Sequence, residues 1–162
     1  MPKRSAGAGT PASTALAAAG IPFTLHPYEH DLAAASYGLE AAKALGVEPE
    51  RVFKTLLADT ELGIVVAVVP VTGLLDLKAL ASAVGAKRAT MADPAVAERR
   101  TGYVVGGISP IGQKTRHVTV VDETAQLFDT VFVSGGRRGL DVELTPADLL
   151  TATGATYAPL AK

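Results

Sequence analysis

The run Thr101-Gly102-Tyr103-Val104-Val105-Gly106-Gly107-Ile108-Ser109-Pro110-Ile111-Gly112-Gln113 decides how the rest of the chain is read. An apolar segment, Tyr103-Val104-Val105, ends in Gly106-Gly107 and resumes at Ile108-Ser109-Pro110. Paired glycines permit positive φ and let another molecule come close to the main chain. Pro110 pushes Ser109 toward extended geometry. The expectation is a short strand feeding a rigid loop with open backbone. Such a loop is either a tight turn between strands or a device that aims N–H groups at an oxyanion or phosphate. These residues alone leave both readings open.

Working outward, strand and helix patterns alternate on both sides of this loop. Helices are predicted over 11–19, with Thr10 as cap and Pro11 at the first position, and over 37–45, 76–84, 94–100 and 146–153. Strands are predicted over 21–26, 52–57, 64–69, 86–90, 118–121, 130–133 and 140–144. The 52–57 and 64–69 segments flank a turn and read as a hairpin. The second is almost continuously apolar, as a central strand buried on both faces would be. Several strand pairs are joined by turns, so the fold class is α/β (α+β) with a mixed, curled sheet rather than a doubly wound parallel one. Residues 1–9 read as a flexible tail and 10–162 as a single domain.

The bulk numbers restrict function. Apolar residues make up 48% of the 162 and charged residues 19%, which is globular composition. The net charge of −1 supplies no global basic field, so any nucleic-acid contact must be local. With no cysteine there is no disulfide, thiolate metal site or cysteine nucleophile. No apolar run is long enough to span a bilayer. The Lys3-Arg4 start and the short alanine run read as a tail and a helix, not a signal peptide, so a cytoplasmic protein without membrane contact is expected.

Several side chains are candidates for chemistry. Lys54 sits in an apolar strand, where a charge is costly unless it faces a cleft or a partner. It is either a pocket lysine or a lysine on a solvated strand face, with Phe53 and Thr55 on the opposite face. Tyr28 and Tyr37 either line a pocket or pack half-buried. Ser134 to Gly139 is a second glycine cluster whose Arg137 and Arg138 suit phosphate contacts or a polar hairpin turn. Glu40 and Lys43 can pair along their helix. His26 and His30 are four apart but separated by Pro27, which argues against a shared metal, and no metal is expected. Ser109, His117 and Asp141 are a conceivable triad, without a nucleophile-elbow sequence to support it.

Together these segments resemble the YbaK/EbsC family of Cys-tRNA(Pro) deacylases. The matching residues are Leu25-His26-Pro27-Tyr28-Glu29-His30-Asp31, Val52-Phe53-Lys54-Thr55-Leu56-Leu57, Met91-Ala92-Asp93, the 101–114 run and Val133-Ser134-Gly135-Gly136-Arg137-Arg138-Gly139-Leu140. They occur in order and span about residues 21–150. The resemblance implies a partly barrel-like mixed sheet surrounded by helices, as in the editing domain of bacterial prolyl-tRNA synthetases. It implies hydrolysis in trans of cysteine wrongly loaded on tRNA(Pro), needed because cysteine and proline are too similar in size for one pocket to separate. By the same resemblance Lys54 and Gly106 are catalytic, holding and polarising the ester. Tyr28, Tyr37, Gly107, Ile108, Ser109, Pro110, Ser134 and Asp141 bind substrate, with Asp141 facing its α-amino group. Tyr37 departs from the phenylalanine common there. Arg137 and Arg138 are candidates for tRNA phosphates. No enzyme nucleophile and no cofactor are implied, because the substrate's own thiol attacks its ester. The implied partners are the acceptor end of an aminoacyl-tRNA and prolyl-tRNA synthetase. A non-catalytic binding module, or a deacylase of different specificity such as for Ala-tRNA(Pro), are the alternatives.

Overall fold

Helices begin where the sequence supplies caps. In the computed structural model, which describes residues 9–29 and 37–162, the Thr10 side chain accepts from the Ser13 N–H to start α1 (Pro11–Ala18). Asp76 caps α3 (Leu77–Val84), Asp93 caps α4 (Pro94–Thr101) and Thr145 caps α5 (Pro146–Thr153). Each side-chain oxygen satisfies N–H groups that the first turn leaves without helical partners. α2 spans Tyr37–Leu45.

The strands are β1 (Thr24–Pro27), β2 (Phe53–Thr60), β3 (Gly63–Pro70), β4 (Ala89–Met91), β5 (Val118–Asp122), β6 (Val131–Arg137), β7 (Leu140–Leu144) and β8 (Thr156–Ala158). They form two sheets, one of order β1-β7-β6 and one of order β4-β2-β3-β5-β8. The first is antiparallel, while in the second β3–β5 and β5–β8 are parallel. The sheet is therefore mixed, as expected. It is not closed into a barrel: a parallel bridge between Val52 and Phe132 joins the two sheets.

β3 shows why its sequence is apolar at every position. Val66 and Val68 enter the core between the sheets, with Phe53, Leu57, Val131, Val133, Val142 and Leu16. Val65, Ala67 and Val69 pack on the other face against Leu80 and Leu160. A third cluster, Ala41, Ala42, Val52, Val71 and Phe132, seats α2 at the junction of the sheets.

Three expectations are corrected. Tyr103-Val104-Val105 is not a strand: Tyr103 is 3% exposed but Val104 and Val105 are 71% and 45% exposed, and the segment turns on a Gly107 N–H to Val104 C=O bond. The first strand begins at Thr24 and not Ile21, because the Ile21 N–H closes back on Leu16 C=O. The strand read over 86–90 is only Ala89–Met91, since the Lys87 and Arg88 N–H groups donate to the Glu61 carboxylate. β8 lies outside the expected strands, as does a 3-10 turn at Glu123–Leu127, which Asp122 caps by accepting from the Thr124 N–H.

Candidate active site

Val52, which bridges to Phe132 where the two sheets join, lines a cleft of about 300 Å³. β2 supplies Phe53, Lys54, Thr55, Leu56 and Leu57; α2 supplies Gly38 and Ala41. Met91, Ala92, Pro94 and Ala97 form one wall, and Val105, Gly106 and Ile108 another. Tyr28, Ser134, Arg137 and Asp141 complete it.

Asp141 lies on the middle strand of the three-stranded sheet, in register with Ser134 on β6 and His26 on β1. It is 5% exposed. Its Oδ2 and the Thr55 Oγ1 are the buried side-chain polar atoms without a hydrogen-bond partner among the described residues. Both residues line the cleft. Burial pushes the Asp141 carboxyl up to about 7, since desolvation disfavours the charged form. The Tyr28 phenol is pushed up to about 12, first by its own burial and then by the Asp141 charge. The Tyr28 N–H donates to Gly139 C=O at 2.9 Å, which fixes the ring's base beside β7.

Lys54 pairs with Val69 in the β2–β3 register and is partly buried. Among the described residues its ammonium has no ion-pair or hydrogen-bond partner. A cation held at an apolar cleft without a partner has donors left to give. It stands at the cleft, so the pocket reading of this lysine is the one the geometry fits.

The two glycine segments divide their work. Gly106 has φ 96°, open to glycine alone without strain. Among the described residues neither its N–H nor that of Ile108 meets an acceptor, so both are available to a ligand. The Gly107 N–H is committed to Val104 C=O at 2.8 Å and does not face the cleft as expected. Gly107 is needed for packing instead: a Cβ there would sit 2.6 Å from Arg137 Cα and 2.7 Å from Arg138 N. A bulge between Ser134 and Arg137 brings that backbone so near.

The remaining candidates scatter. Ser109 and Pro110 are buried and do not line the cleft; the Ile111 N–H donates to Ser109 Oγ. Arg137 is exposed and lines the cleft. Arg138 Nε donates to Glu40 Oε1 at 3.2 Å, with side chains only 18% and 7% exposed. Glu40 is thus held across the fold and not by Lys43. The side chain of Tyr37, and all of His30, lie outside the described residues. His117 bonds Gln113 and Arg100 away from the cleft, so Ser109, His117 and Asp141 do not assemble. His26 bonds Glu143 at 2.8 Å. Sequence reasoning missed Thr55, together with the wall formed by Met91, Ala92, Pro94 and Ala97. The quoted motifs contained Thr55, Met91 and Ala92, but strand alternation assigned Thr55 to the face away from Lys54.

The fold and cleft define an aminoacyl-tRNA editing domain: that family's profile matches residues 33–152, and the chain belongs to it. An Enterococcus faecalis relative provisionally named Cys-tRNA(Pro)/Cys-tRNA(Cys) deacylase EbsC is 42% identical over 120 residues, 74% of this chain and 73% of that protein. A crystal structure provisionally described as a trans-editing enzyme for prolyl tRNA synthetase matches with TM-score 0.86 and 28% identity, covering 99% of each chain. A scaffold from computational epitope grafting matches at TM-score 0.84 and 27% identity, over 94% of this chain and 95% of the other. The YbaK/EbsC resemblance drawn from the motifs stands. No helix among the described residues is long and apolar enough to cross a membrane.

Proposed function

We propose that this protein hydrolyses mischarged Cys-tRNA(Pro) in trans, in the cytoplasm where that substrate is made. The carrying observation is the imbalance inside the cleft. An apolar pocket holds an ammonium on Lys54 and buried oxygens on Asp141 and Thr55 that have no partner among the described residues. An aminoacyl ester supplies what each lacks. Its α-ammonium suits the Asp141 carboxylate, and its ester and ribose oxygens suit Lys54 and the Gly106 N–H. In the reaction the substrate's sulfur attacks its own ester carbonyl. The carbon–sulfur bond forms, the bond to the ribose oxygen breaks, and the thiol proton ends on that oxygen. Water then opens the thiolactone and releases cysteine. The chain's residues hold and orient the ester, a positioning effect. Alanine and proline carry no nucleophile for this route.

The partner is the acceptor end of the tRNA. With net charge −1 the chain presents no global basic field to displace the counterions condensed on the tRNA, so affinity for free tRNA is weak. Selection of tRNA(Pro) then rests on a complex with prolyl-tRNA synthetase. The test is deacylation of Cys-tRNA(Pro), Ala-tRNA(Pro) and Pro-tRNA(Pro) by wild type and Lys54→Ala. Loss of cysteine alone, dependent on Lys54, is the expected result. Hydrolysis of alanine instead reassigns specificity. No turnover by folded wild type leaves a binding module and defeats the proposal.

A further inference from the structure

The family match begins at residue 33, yet the first turn of α1 packs against Gly112 and the β6 bulge, whose flanking residues Ser134 and Arg137 line the cleft. Thr10 is 7% exposed. Its hydroxyl donates to Gly135 C=O within the β6 bulge while its oxygen accepts from the Ser13 N–H. Gly136 has φ 110°, and a Cβ there would lie 2.9 Å from Thr10 Cβ and 3.0 Å from Tyr103 Cε1. At the far end of the other segment, a Cβ on Gly112 would lie 2.6 Å from Pro11 O. The Tyr103 hydroxyl donates to Ile111 C=O at 2.6 Å and closes that segment on itself.

A contact path follows. Thr10 touches the bulge, the backbone after the bulge touches Gly107, and Gly107 lies between Gly106 and Ile108 at the cleft. The contacts of Gly107 with Arg137 and Arg138 and of Gly112 with Pro11 are against backbone, where no flexible side chain can give way. We infer that Thr10 is a positioning residue for the editing site. The first turn of α1 sets the spacing of the two glycine segments and so the aim of the Gly106 N–H. The inference rests on the proposed deacylase reading for its kinetic readout alone.

The test uses the full chain with Thr10→Ala, Thr10→Ser and, as a control that loses a helix cap away from the cleft, Thr145→Ala. Kinetics on Cys-tRNA(Pro) are run well below each variant's melting midpoint. Amide exchange is followed at Gly107, whose N–H is held by Val104 C=O between Gly106 and Ile108. Thr10→Ala is expected to lower kcat about tenfold with KM within about twofold, on the scale of small misplacements at an active site. Exchange at the Gly107 amide rises. Thr10→Ser restores both, and Thr145→Ala changes neither. Wild-type kcat and exchange in folded Thr10→Ala would overturn the inference, as would a Thr10→Ser as impaired as Thr10→Ala. If Thr10→Ala does not fold, Thr10→Val, which keeps the shape without the hydroxyl, makes the same comparison. If wild type does not turn over, the deacylase reading fails and the exchange measurement still decides the inference.

Discussion

Asp141→Asn keeps the shape of the side chain and removes its charge, which makes the burial of that charge measurable. In the folded protein the carboxyl titrates at about 7 instead of the ordinary 3.8. The folded state therefore holds a proton more tightly than the unfolded chain. Stability from this group is full below pH about 4 and is lost as pH rises through about 7. A shift of about three units corresponds to roughly 4 kcal/mol at about 1.4 kcal/mol per unit. At 5% exposure little solvent screening reduces it. Asparagine cannot ionise, so the slope disappears in the variant. Its amide still lacks a partner, a constant penalty of about 1–3 kcal/mol. The variant should be the less stable form at pH 4 and the more stable form at pH 8. Urea unfolding of both proteins at several pH values, with equal m-values, gives the difference directly. A difference that stays flat within about 1 kcal/mol from pH 4 to 8 refutes the buried charge. On the proposed reading, in which the carboxylate meets the substrate's ammonium, deacylation should fall in the same variant that gains stability at pH 8.

Other consequences are as specific. Lys54→Ala should lower kcat/KM for Cys-tRNA(Pro) by about 10²-fold or more, the scale of losing one donor to a developing oxyanion, while its melting temperature matches wild type; a large drop in melting temperature would make Lys54 a structural residue. Gly107→Ala places a methyl 2.6 Å from Arg137 Cα and should cost about 1–3 kcal/mol in urea unfolding; unchanged stability would mean the two glycine segments are not in contact. Arg138→Ala removes the guanidinium that the nearly buried Glu40 carboxylate accepts from and should cost about 1–3 kcal/mol at neutral pH, the range for a buried polar group that loses a hydrogen bond. Arg138→Ala together with Glu40→Gln should recover most of that loss; no recovery would show that the pair is not the cause.

How much of this fold is legible in the sequence depends on how local each signal is. The 52–57 and 64–69 hairpin is announced by its own residues, and β3 by valines on both faces. The helix starts are announced by Thr10, Asp76, Asp93 and Thr145 within one turn of each cap. Tyr103-Val104-Val105 has strand composition, but its conformation is set by a phenol bonded to Ile111 and by backbone packed on the β6 bulge. Composition carries neither. β8 exists only because Thr156–Ala158 pairs in parallel with Val120–Asp122, more than thirty residues earlier. Glu40 had a plausible partner in Lys43 on its own helix and found a better one in Arg138, 98 residues away.

The site was harder to read than the fold for a reason that lies in the junction of the sheets. Alternation along β2 assigns Lys54 and Thr55 to opposite faces, which is sound for a strand inside a continuous sheet. At Val52 the two sheets join, and β2 just beyond it borders a cavity. Residues from both of its faces look onto the same space, and Thr55 joins Lys54 at the cleft. On β7 the limitation is reversed. Leu140, Val142 and Leu144 alternate inward, so Asp141 and Glu143 occupy one face and are indistinguishable by pattern. Glu143 meets the Thr130 hydroxyl, then His26 and Arg51, and its carboxyl is held below the ordinary range by them. Asp141, two residues away, meets no partner at Oδ2 and is pushed the other way. What separates a structural carboxylate from a candidate ligand-binding one here is whether distant segments supply partners. That information is absent from a strand's own residues and appears only when β1, β6 and Arg51, at the end of a 3-10 turn over Pro49–Arg51, are packed around it.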